Sequence, residues 1–104
     1  MANQQQRATD SRQLIELPED CRMAALPALQ TQLLAALQQP GFSVAAAAVS
    51  RIDTAALQWL VACRREAAAS ACSMHWQGVS EVVRDAAALL GLTQVLELPA
   101  SVPA

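Results

Sequence analysis

The 104-residue chain has no lysine and no tyrosine, only three glycines, a single histidine and a single phenylalanine. Each shortage excludes something. Without lysine, and with glycine only at Gly41, Gly78 and Gly91, neither G-x-x-x-x-G-K-[ST] nor G-x-G-x-x-G exists, and no G-x-S-x-G elbow is present. His75 has no carboxylate cluster beside it, so no zinc ligand set is indicated. His75 with Cys72 or Cys63 gives no spacing for a nucleophile and its base, and Glu19-Asp20 reads as the charges of a turn. The residues support no catalysis, cofactor or metal.

Charge and hydropathy exclude more. Seven arginines against nine acids leave a net charge of −2, and with so few aromatics there is no means of gripping nucleic acid. No apolar run approaches the roughly 20 residues of a spanning helix, so direct membrane insertion is not expected. The opening MANQQQRATDSRQ is polar and carries no secretory signal, which makes the cytoplasm the expected compartment. Cys21, Cys63 and Cys72 are odd in number and form no C-x-x-C pair, so three free thiols are expected.

What is present is a core. Hydrophobic residues make up 54% of the chain and charged ones 15%, which suits one small globular domain. Residues 1–12 read as a flexible N-terminus or short edge strand, 13–98 as the domain, and 99–104 as a tail. Gln13–Leu17 reads as a strand ended by Pro18. From Arg22 the apolar residues Met23, Leu26, Leu29, Leu33, Leu34 and Leu37 recur at helical spacing until Pro40-Gly41, with Pro27 marking either a first turn or a kink. Phe42–Val49 is short, continuous and apolar, and reads as a buried strand. Asp53 is a good N-cap for a second helix from Thr54 to about Ala69. Ser73–Gln77 reads as a third strand, with Met74 and Trp76 expected on opposite faces. Gly78 is expected to turn the chain into a third helix, Val79–Leu90, stopped by Gly91. Leu92–Leu98 is expected to close the fold as a strand or as a last half-turn plus strand. Alternating strands and helices of this kind give a mostly parallel sheet with helices packed on it.

The junction Val49-Ser50-Arg51-Ile52-Asp53-Thr54 stands out, because function collects where parallel strands end and helices begin. Plain capping by Asp53 or Thr54 is the simpler reading. The second helix carries one stripe of Ala56, Leu60, Cys63 and Ala67 and another of Leu57, Val61 and Arg64. Trp59 lies beyond both, either as a partner anchor or packed under neighbouring loops. Arg64-Arg65 reads as a solvated helix end.

The block V-S-R-I-D-T-A-A-L-Q-W-L resembles the strand-to-helix segment of STAS domains, the fold of bacterial anti-sigma factor antagonists. Their motif runs as an apolar strand followed by D-[ST]-[ST/G]-G-L. Val79–Leu98 also resembles the family's C-terminal helix and the G-L-x-x-V-[FL]-E-[ILV] that follows it. V-S-R-I-D-T is further similar to the STAS subunit of the Mla-type ABC transporter for outer-membrane phospholipids. The resemblance implies a STAS-like α/β fold with a sheet of about four strands. It also implies a non-enzymatic protein–protein interaction module. In the antagonists the hydroxyl residue after the Asp is phosphorylated by a partner kinase, and these two positions map onto Thr54 and Asp53. Ala55-Ala56 departs from the hydroxyl-or-glycine pair of the motif. The implied partner-binding positions are Arg51, Ala55, Leu57, Gln58 and Trp59. The expected role is a regulatory partner switch of the anti-sigma antagonist type, controlled at Thr54, whose partner is an anti-sigma factor or related kinase. The alternative is an accessory subunit that binds the ATPase of an Mla-type transporter.

Overall fold

Strand periodicity dictates the centre of the molecule, described by a computed structural model for residues 13–100. Strand β1 (Gln13–Glu16), β3 (Gly41–Ala46) and β5 (Ser73–Val79) form a parallel sheet in the order β1-β3-β5. In register, Ile15, Val44 and Trp76 lie side by side, as do Gln13, Phe42 and Met74. Because alternate residues share a face, Met74 and Trp76 lie on the same inner face. Their expected separation onto opposite faces is corrected by that two-residue period. Phe42, Ile15 and Val44 are sealed beneath the helices, each contributing roughly 1.5–3 kcal/mol by burial.

A second, two-stranded parallel sheet pairs β2 (Asp20–Cys21) with β4 (Arg51–Ile52). The fold is α/β as expected, but the strand count differs. Among the described residues the main sheet has three strands, and the expected closing strand at Leu92–Leu98 is a run of turns. Leu96 is nonetheless fully buried, so that segment closes the core without joining the ladder.

Among the described residues, three helices cover the inner face. A 3-10 turn at Met23–Ala25 leads into α1 (Leu26–Ala36), and Pro27 sits in its first turn, where a missing amide proton costs nothing. Leu29, Leu33 and Ala36 point into the core. The second helix, α2 (Thr54–Ala69), buries Ala56, Leu57, Leu60, Val61, Cys63 and Ala67. It ends with Ala71 in the left-handed conformation (φ 55°), where the Cys72 amide donates back to the Ala67 carbonyl at 2.8 Å.

The third helix, α3 (Glu81–Leu89), starts later than expected. Gly78 is not its lead-in but part of β5, with φ 80°, at an irregularity in the β3–β5 register. A β-carbon there would stand 3.0 Å from that of Ala47, so only glycine fits without displacement. Ser80 caps α3 by accepting from the Val83 amide, and Gly91 ends it at φ 71° as expected. The edge strand considered within residues 1–12, and the last four residues of the tail, lie outside the described residues.

Candidate functional site

The junction between β4 and α2 is built on one carboxylate. Asp53 is extended (φ −114°, ψ 175°) and caps α2, its Oδ1 accepting from the Ala56 amide at 2.8 Å. Its Oδ2 accepts from the Met23 amide at 2.9 Å, at the start of the 3-10 turn that leads into α1. A single side chain thus satisfies an orphan amide in each of two helical starts. The Ala56 and Met23 amides, with the Arg22 guanidinium nearby, hold the Asp53 carboxyl below its ordinary value of 3.8. These bonds need the charged form, so the clamp is made of carboxylate and not carboxylic acid.

The short β2–β4 pairing explains why the two starts meet. It sets Asp20 opposite Arg51 and Cys21 opposite Ile52. The Ser50 and Arg51 amides both donate to the Glu19 carbonyl, which fastens the two segments just ahead of Asp53. Asp20 and Arg22 form a two-bonded ion pair at 2.6 and 2.8 Å. Both are about half exposed, so the pair orders the turn more than it stabilises the fold. Asp20, Arg22, Met23, Ala24, Ala25 and Asp53 line a shallow concavity of about 250 Å³. Cys21 lies buried beside it, its thiol pushed up to about 11 by burial and by the Asp53 and Asp20 charges.

Thr54 follows the cap and is exposed, and its hydroxyl makes no hydrogen bond among the described residues. Capping therefore belongs to Asp53, and among the described residues the Thr54 hydroxyl has no structural task. Gln58, one turn later, is exposed on the same side, Ala55 is half-buried between them, and Arg51 is exposed on β4. Thr54 and Gln58, four residues apart, thus lie on one side of α2.

Of the positions placed at a partner surface by the sequence, Leu57 lies elsewhere and Trp59 is only partly available. Leu57 is 2% exposed and belongs to the core, a correction that follows from its place on the Leu57–Val61 stripe. Trp59 is half-buried against the core, and its Nε1 donates to Gln30 Oε1 on α1 at 2.7 Å. It fastens α2 to α1 and shows only part of its ring at the rim of the Thr54 surface.

Sequence reasoning missed the Met23 turn, because nothing local to residues 20–25 announces a bond to residue 53. It also misread Arg64, which is not a solvated helix end. Its side chain is 15% exposed, and its guanidinium donates to the carbonyls of Met74 (2.9 Å) and Leu96 (2.8 Å). The available signal was spacing: Arg64 continues the buried Leu57–Val61 stripe.

Among the described residues, no group of three or more His, Cys, Asp or Glu is placed to hold a metal ion, and no helix is long and apolar enough to cross a membrane. A family model described as "Mlab, STAS domain" matches residues 4–98. No curated protein matches the chain, and no solved structure does.

Proposed function

The chain belongs to the STAS domain family, and from that premise we propose that it is a non-enzymatic protein-interaction module. Its partner binds at the start of α2, around Thr54. The observation that carries this reading is the division of labour between neighbours. Asp53 does all the capping, through Met23 and Ala56, and leaves the Thr54 hydroxyl exposed on a fixed frame. A preorganised polar group on a rigid helix start binds a partner without first having to be ordered. Arg51, Ala55 and Gln58 extend the surface, and Trp59 contributes at its rim.

Two partner classes fit that surface. The first is an accessory subunit seated, in the cytoplasm, on the ATPase of an Mla-type phospholipid transporter; the resemblance of V-S-R-I-D-T and the family model's description, "Mlab, STAS domain", support it. The second reading is a partner switch of the anti-sigma antagonist type, in which a kinase phosphorylates Thr54. It is favoured by the free hydroxyl directly after Asp53. Phosphate there would place nearly two negative charges beside the Asp53 carboxylate. A partner surface that buries a neutral hydroxyl would then face an unpaired dianion.

Co-purification of the tagged full chain from its source cells tests the proposal. A transporter ATPase or a regulatory kinase is expected, and Gln58→Arg should lose it while Gln38→Arg, beyond the far end of α1, keeps it. Equal retention by both variants would remove the start of α2 as the binding surface.

A further inference from the structure

Strand β5 lacks the usual defences of a sheet edge. Among the described residues it pairs with β3 on one side only. Ser73–Gln77 contains no proline, lysine, arginine or carboxylate, the residues that ordinarily stop an edge from pairing with another chain. The irregularity at Gly78 interrupts the ladder only beyond Trp76.

The protection comes from elsewhere in the chain. Arg64 Nη1 reaches the Met74 carbonyl, so the Met74 edge is the one turned away from β3. Arg64 Nη2 and Trp76 Nε1 both donate to the Leu96 carbonyl, at 2.8 and 2.9 Å. The Leu96 side chain is fully buried below, and Glu97, at φ 56°, lies 3.6 Å from Arg64. The turn carries its own bonds, from the amides of Leu96 and Leu98 to the carbonyls of Leu92 and Thr93. Among the described residues it makes no backbone–backbone bond to β5; its Leu96 carbonyl meets the edge through the side chains of Arg64 and Trp76. Arg64 Nε is buried without a partner among the described residues, which leaves the seal incompletely satisfied.

We infer that Leu92–Leu98 is a strap that, with Arg64, occupies the β5 edge and keeps it from pairing with β5 of a second copy of this chain. A strand paired antiparallel with its own copy about a two-fold axis presents the same surface from both sides. Ser73–Gln77 brings no like charges together in that arrangement. The inference goes beyond the partner-binding proposal and uses none of its residues.

The test is the mass of the full chain in solution with the strap's anchors removed. Arg64→Ala combined with Trp76→Phe should remain folded by circular dichroism and double in mass relative to wild type as concentration rises. The Met74 and Trp76 amides should then exchange more slowly than in the monomer. A folded double variant that keeps the wild-type mass at every concentration overturns the inference, as does a dimer in which those two amides gain no protection. Should the double variant fail to fold, Trp76→Phe alone and wild type in mild urea decide. Exchange at Leu96 and Leu98 should rise before global unfolding, with mass rising alongside it. Strap opening only with global unfolding, or at constant mass, refutes the strap.

Discussion

The Asp53 carboxylate and the Met23 amide, thirty residues apart in sequence, are joined by a 2.9 Å hydrogen bond that ties the start of one helix to the approach of another. The same carboxylate caps α2 through Ala56. The position of the Thr54 surface therefore depends on a charge that neighbouring amides stabilise.

That dependence has a pH signature. The Asp53 carboxyl is held below its ordinary 3.8, so its contribution is complete above that value and is lost as pH falls through the lower folded one. Asp53→Ala should lower the thermal midpoint at neutral pH and narrow its gap to wild type as the solution is acidified below about pH 4. A gap that stays constant through the acid range would contradict the clamp.

Two backbone positions should respond in opposite directions. Gly78→Ala places a β-carbon at φ 80° and 3.0 Å from that of Ala47, and should cost at least about 1–2 kcal/mol. Ala71→Gly relieves a left-handed alanine at φ 55° and should gain about 0.5–1 kcal/mol, after the added freedom of the unfolded chain. Urea unfolding of the two variants measures both signs.

The thiols should be present but silent. Cys21, Cys63 and Cys72 are free and buried. Burial pushes Cys63 up to about 12 and also raises Cys72, while Cys21 stands at about 11. Thiolate is the reactive form, so a thiol reagent at neutral pH should react slowly with native protein. It should count three groups once the chain is unfolded without reductant. Fast labelling of the native state would show that the core opens locally.

Much of this architecture was legible because its signals are local. Pro27 at a first turn, Asp53 as a cap, and Gly91 in the left-handed conformation are each read within a few residues. The misreadings are long-range. Strands β2 and β4 have two residues each, too few for any periodicity, and exist through each other. Leu92–Leu98 is expected to form a strand, yet its Leu96 and Leu98 amides bond within the segment and side-chain donors from Arg64 and Trp76 satisfy the Leu96 carbonyl, so it is a turn. At the site, Asp53 and Thr54 were visible as a cap and a hydroxyl. The decision about which of them caps needed the Met23 amide, which no local pattern announces.

The central claim is that Thr54 belongs to the partner surface and not to the frame beneath it. The most direct measurement is the Kd of the co-purified partner for wild type, Thr54→Gln and Thr54→Glu, alongside the thermal midpoint of each. Thr54 is exposed and unbonded among the described residues, so all three midpoints should agree closely. Thr54→Glu should weaken binding at least about tenfold, the cost of setting an unpaired charge into an interface. Thr54→Gln should bind more tightly than Thr54→Glu. A Kd unchanged by Thr54→Glu at unchanged stability would contradict the account and leave Thr54 as an ordinary first residue of α2.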